Sequence, residues 1–257
     1  MMKITFLGSG TSSGVPTVAC TCPTCTSTDP RDNRLRPSIW ISKEEESIII
    51  DTSSDFRQQC MRACIMSLDA VIYTHHHFDH IAGFDDLRAY NFKMRRPVPI
   101  YAMPETLNNL KQVFSYAFGE NLTLGSSVPL VDVHTILNEP FMVGSIECIP
   151  LHLYHGPMRV NGYRMGSFAY CTDCNAITDQ AMERLKGVRT LVLDALRITR
   201  HSTHFSLDEA IEAAAQIGAE QTYFTHIAHE IKHADIDPGL PEGMHLAYDG
   251  LEISIED

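Results

Sequence analysis

The chain has 257 residues, 44% hydrophobic and 20% charged, with 20 Lys and Arg against 32 Asp and Glu and a formal net charge of −12. This is the composition of a soluble globular protein with enough chain to bury a full core. The acidic balance argues against nucleic acid as a partner, because binding a long polyanion normally needs a basic stripe. No apolar stretch reaches the length of a membrane span, which excludes a membrane protein of the helical kind.

In chain order, the opening Met-Met-Lys-Ile-Thr-Phe-Leu-Gly lacks the long apolar core of a signal peptide, so a cytoplasmic location is expected. Residues 3–7 alternate as a strand does, and Gly8-Ser9-Gly10-Thr11-Ser12-Ser13-Gly14-Val15-Pro16 follows. That run does not match GxGxxG, and its glycines are expected to make tight turns near a cleft. Residues 37–42 and 47–51 read as a hairpin, 56–63 as a helix and 69–74 as a buried strand. Helices are predicted over 85–90, 105–118 and 178–185. Strands are predicted over 98–102, 129–137, 141–143, 146–153, 163–172 and 190–194. Ser206-Leu207-Asp208-Glu209 is a capping box, with Ser and Glu three apart before an apolar run, opening a helix to about residue 217. Strands over 221–225, 246–248 and 251–255 close the chain. Strands and helices interleave in both halves with no low-complexity linker. One α/β domain over 1–257 is expected, with two sheets that cover each other inside and helices outside.

The chemistry concentrates in Thr74-His75-His76-His77-Phe78-Asp79-His80, directly after a buried strand. Imidazole nitrogen and carboxylate oxygen suit zinc, manganese or iron. Further donors stand at strand ends: His155, Asp173 and His226. Sites in α/β sheets gather beyond the carboxyl ends of strands. His75, His77, Asp79, His80, His155, Asp173 and His226 are too many for one ion and suit two divalent ions sharing a carboxylate. Cys20-x-Cys22-x-x-Cys25 offers three thiolates, one short of a closed tetrahedral zinc site. Eight cysteines in a long chain without an export signal argue against a disulfide framework. Cys60 and Cys64, one helical turn apart, read as small buried hydrophobes, and Cys171 and Cys174 as buried thiols.

The set His75-x-His77-x-Asp79-His80 with His155, Asp173 and His226 resembles the metallo-β-lactamase superfamily motif set across the whole chain, including the Gly8–Pro16 loop and the Ile50-Asp51-Thr52 turn. The resemblance implies a four-layer αββα sandwich with two mixed sheets. It implies that His75, His77, His155 and Asp173 hold one ion, and that Asp79, His80, Asp173 and His226 hold the other, with Asp173 bridging. Within the superfamily the three cysteines resemble those of the PhnP-type phosphodiesterases, which cleave a ribosyl cyclic phosphate. That likeness implies one structural zinc on Cys20, Cys22, Cys25 and His229. It also implies His204 as general acid, so that His204 and Asp79 are the candidate catalytic side chains. The 88–131 segment departs from the family pattern, and a cap it forms over the cleft would select a different substrate.

His204 lies just before a helix N-terminus, where an imidazole can meet a phosphate. Asp51 is read as orienting a ligand histidine. His152 is placed near the cleft, His76 as structural or exposed, and His134, His201, His233 and His245 on the surface. Arg34, Arg36, Arg159, Arg164, Arg197 and Arg200 are all available for phosphate recognition. The expected activity is hydrolysis of a small or cyclic phosphodiester, with a homodimer compatible. The alternatives are a ribonuclease Z-like nuclease, a thioester hydrolase, or a metal-binding scaffold without turnover.

Overall fold

A computed structural model describes residues 1–119 and 127–256. The first sheet begins with β1 (Met2–Gly8), β2 (Ser38–Lys43) and β3 (Glu46–Ile50), paired antiparallel in that order. β4 (Ala70–Ile72), β5 (Val98–Ala102) and β6 (Val131–Thr135) then add in parallel. The second sheet follows in sequence. β7 (Phe141–Val143) pairs with β8 (Ile146–His155), which pairs antiparallel with β9 (Met158–Met165), itself antiparallel to β10 (Phe168–Cys171). β11 (Ala176–Ile177) flanks β8. β12 (Thr190–Asp194), β13 (Gln221–Thr225) and β14 (Met244–Leu246) extend β10 in parallel. Finally β15 (Glu252–Ile255) returns to pair with β1.

Side chains alternate across a strand, and the core divides accordingly. Ile48 and Ile50 join Phe6, Ile39, Tyr163, Phe168 and Tyr170 between the two sheets. Ile49 points the other way, against α1 (Phe56–Arg62), α3 (Leu87–Met94) and α4 (Pro104–Val113), with α2 (Phe78–Ile81) nearby. Leu151, Leu191, Leu193 and Phe224 pack under α5 (Asp179–Leu185) and α6 (Leu207–Ile217). The result is helix, sheet, sheet, helix in four layers, with a further short helix, α7 (His233–Ile236). The run Ile48-Ile49-Ile50 is continuous because β3 is covered on both faces. The capping box at Ser206 is present on both sides, and such a cap is worth about 1 kcal/mol. Among the described residues no helix is long and apolar enough to cross a membrane.

Several expectations need correction. The strand expected over 163–172 is two strands, β9 and β10, because Gly166 at φ 57° turns the chain back. The helix expected over 105–118 stops at Val113, where Phe114 leaves helical backbone and stacks on Phe84 at 4.8 Å. His233 is buried rather than on the surface. Cys60 is only half-buried, and Cys64 is exposed in left-handed backbone just past the end of α1. Gly8 serves close approach: a Cβ there would lie 1.9 Å from the Arg36 carbonyl oxygen. Residues 120–126 of the expected cap lie outside the described residues.

Candidate metal centre

Parallel strands β4, β10, β12 and β13 all end at one rim, and each delivers a polar side chain there. The turn after β4 carries His75 and His77 and leads into α2, which carries Asp79 and His80. His155 ends β8, Asp173 follows β10, Asp194 ends β12 and His226 follows β13.

Two donor groups result. Donor atoms of His75, His77 and His155 lie within 4.8 Å of one another, as do those of Asp79, His80, Asp173 and His226. Asp173 faces both groups. Its Oδ2 lies 3.1 Å from His80 Nε2, 3.1 Å from His226 Nε2 and 3.9 Å from His75 Nε2. Asp79 Oδ2 lies 3.5 Å from His80 Nε2 and 3.6 Å from His226 Nε2.

Outer contacts aim these rings. His80 Nδ1 donates to Asp51 Oδ2 at 2.7 Å, and Asp51 is itself held by the Thr74 backbone N–H and hydroxyl. His155 Nδ1 donates to the Thr203 carbonyl at 2.8 Å. In each ring Nε2 is thereby left for the cleft. His204 Nδ1 donates to Asp194 Oδ2 at 2.6 Å, and its ring stacks on His226 at 4.6 Å.

Electrostatics supports a cation in this rim. Burial holds His75, His77 and His155 below the ordinary histidine range, so these imidazoles are neutral, as ligation requires. Burial also opposes charge on His80 and His226, yet Asp173 and neighbouring carboxylates hold His80 well above that range and His226 up at about 10. An acidic field this strong demands positive charge, and divalent ions can replace those protons. His75 Nε2 and both His226 ring nitrogens are buried without a hydrogen-bond partner. Such orphaned nitrogens facing carboxylates fit divalent metal.

A second cluster gathers Cys20, Cys22, Cys25 and His229. His229 Nδ1 lies 3.1 Å from Cys20 Sγ and 3.5 Å from each of the other two sulfurs. The Cys25 N–H and neighbouring thiols bring Cys22 down to about 6, while burial pushes Cys25 up to about 11. Three thiols and one imidazole at these distances match a closed zinc site in donor type and number. The segment joining His226 to His229 is clamped from below. Fully buried Arg34 donates to the carbonyls of Ala228 and Ile231, and Asp32 accepts from the His233 N–H. Arg34 is therefore structural and not free for phosphate. Arg36 is tied to Asp55, Arg164 and Arg197 to backbone carbonyls, and Arg200 to Glu209.

Sequence reasoning singled out every member of these two donor clusters and missed Asp194. Its signal was available, since it ends a doubly buried strand as Asp173 nearly does, but no motif names it.

A sandwich of this kind with such a rim defines a metal-dependent hydrolase. A family model for the beta-lactamase superfamily domain matches residues 46–227, and the chain belongs to the metallo-β-lactamase superfamily. A crystal structure described as a new diphosphatase from the PhnP family is 42% identical, with a TM-score of 0.92 over 98% of this chain and 96% of that one. An octanoyltransferase of Porphyromonas gingivalis is 38% identical over 100% of this chain but 52% of its own length. The chain thus spans about half of that relative, and octanoyl transfer does not carry over. Zinc-bound PqqB of Methylobacterium extorquens, 20% identical with a TM-score of 0.78 over 98% of this chain and 100% of that one, shares the fold.

Proposed function

We propose that the chain hydrolyses a small phosphoester, either a cyclic or linear phosphodiester or a diphosphate. The observation that carries this reading is the His204–Asp194 pair beside two donor groups, with Asp173 Oδ2 a member of one and 3.9 Å from His75 Nε2 of the other. The likeness to a PhnP-family diphosphatase over nearly the whole chain supports it. His75, His77, His155 and Asp173 would hold one divalent ion and Asp79, His80, Asp173 and His226 a second, zinc, manganese or iron. When bound, such a pair supplies Lewis acidity toward a phosphoryl oxygen and lowers the pKa of water towards about 7. Cys20, Cys22, Cys25 and His229 would hold a structural zinc.

The chain's own residues do the rest. Asp194 accepts the hydrogen bond from His204 Nδ1–H and stabilises the imidazolium, so that Nε2–H is the proton donor for a departing oxygen. Asp51 and the Thr203 carbonyl fix the rings of His80 and His155 so that neither reorganises during the reaction. Nucleic acid is the weaker substrate class for so acidic a chain, and a small molecule the stronger one.

The test is side-by-side assay of metal-loaded protein on bis(p-nitrophenyl) phosphate, S-lactoylglutathione and a ribosyl cyclic phosphate. Turnover of phosphoesters and not of the thioester is expected. His204→Ala should slow the cyclic phosphate, whose leaving group is an alkoxide, about 10²–10⁴-fold with metal content unchanged. Thioester turnover exceeding phosphoester turnover overturns the reading.

A further inference from the structure

A cavity of about 380 Å³ opens between the ends of β5 and β6 and the start of β9. It shares chain with the centre on two sides. His76 stands between His75 and His77, while His152 and Met158 flank His155 on the hairpin of β8 and β9. Arg159, alone among the six arginines singled out above, lines it.

The floor is polar and buried. His152 is 6% exposed, and its Nδ1 donates to Asn161 Oδ1 at 3.0 Å, which leaves Nε2 as a lone-pair acceptor without a partner. Burial and nearby Arg159 hold this imidazole below the ordinary range, so the acceptor stays unprotonated near neutrality. Thr106 Oγ1 and Asn138 Oδ1 are likewise buried and unpartnered. The walls are apolar, with Met103 and Ile136 buried and Leu137 66% exposed at the mouth. Buried acceptors cost free energy unless a ligand brings donors to them.

An alkyl group would fill the walls and leave the acceptors unpaired. A sugar would pair them and leave the apolar faces poorly packed. A flat heterocycle with N–H groups on one edge does both, and nucleosides are its common carriers on phosphate. We propose that this cavity holds the base of a nucleoside phosphoester, its N–H edge on His152 Nε2 and Asn138 Oδ1, with the phosphate at the metal centre. The volume takes one such group, and the acidic chain disfavours a polyanion, so the ligand is a mononucleotide derivative. This inference rests on the phosphoester reading above and names its substrate class.

The test is calorimetric titration of metal-loaded protein with adenosine, guanosine and cytidine 5′-monophosphates, ribose 5-phosphate, inorganic phosphate and a single-stranded oligonucleotide. At least one mononucleotide is expected to bind about tenfold tighter than ribose 5-phosphate. His152→Leu should bring that nucleotide within about twofold of ribose 5-phosphate and leave ribose 5-phosphate and inorganic phosphate unchanged. Leu137→Ala, at an exposed wall that the core does not need, should weaken the nucleotide alone about threefold. Equal affinity for the nucleotides and ribose 5-phosphate overturns the proposal, as does a His152→Leu that weakens all ligands alike in folded protein. Tighter binding of the oligonucleotide than of every mononucleotide overturns it too. If nucleotides bind as expected and no phosphoester is turned over, the cavity assignment stands and the hydrolytic reading fails. If bis(p-nitrophenyl) phosphate is cleaved and the nucleotides show no preference, the hydrolytic reading stands and the cavity assignment fails.

Discussion

Replacing Asp194 by Asn probes the proton donor without touching a proposed metal ligand. Asp194 is fully buried, and its Oδ2 accepts both from His204 Nδ1 at 2.6 Å and from the Cys174 N–H at 2.7 Å. An amide nitrogen in the place of Oδ2 would meet both N–H donors, so the amide oxygen takes that place and keeps both bonds as a neutral acceptor, with the nitrogen at the buried, unpartnered Oδ1 position. The imidazole keeps its tautomer but loses the carboxylate charge that stabilises its charged form. A hydrogen bond to a charged group is worth about 1.5–3 kcal/mol and a neutral one about 1, and the difference of about 1–2 kcal/mol corresponds to a loss of about 5- to 30-fold in kcat. The assay compares an alkoxide leaving group, on a ribosyl cyclic phosphate, with p-nitrophenolate, on bis(p-nitrophenyl) phosphate. A good leaving group needs little protonation, so the alkoxide substrate should suffer the full loss and the aryl ester about threefold or less. Metal content should stay at the wild-type value. Equal losses on both substrates would refute the reasoning, because they would mean that Asp194 shapes the site as a whole and not the proton donor.

Asp173→Ala should release metal from both donor groups and abolish turnover, read by elemental analysis and assay, because its Oδ2 is the oxygen both groups face. Cys22→Ser should lower zinc content by one equivalent and reduce the melting temperature while leaving the Asp173 groups assembled, since the cluster anchors His229 and not His226 directly. Ser206→Ala should cost about 1 kcal/mol, a fall of roughly 2–4 °C in melting temperature by calorimetry, because it removes the cap that opens α6.

How much of this could be read from residues alone depended on where the signal was stored. The strands were legible where apolar runs are continuous, as at Ile48-Ile49-Ile50, because coverage on both faces writes itself into composition. The His75-to-His80 run was legible because several donors fall within one turn of chain, and Cys20, Cys22 and Cys25 for the same reason. Asp194 was not. Its role arises only when β12 lies parallel to β10 and the loop before α6 brings His204 back across the strand end. Arg34 stayed among the candidates for a related cause: nothing local tells a phosphate-binding arginine from one that clamps carbonyls almost 200 residues away. The split of 163–172 into two strands turned on Gly166, which a reading by hydrophobic runs passes over. His152 sat on an apolar strand, and its partner Asn161 lies on the next one, so the pair exists only in the register of β8 with β9.

The most direct measurement is anomalous diffraction from metal-loaded crystals at the zinc and manganese edges. Two peaks about 3.5–4 Å apart with Asp173 between them, and a third zinc peak among Cys20, Cys22, Cys25 and His229, are the predicted result. A single peak at the rim in fully loaded protein, or two peaks that do not share Asp173, would contradict the account.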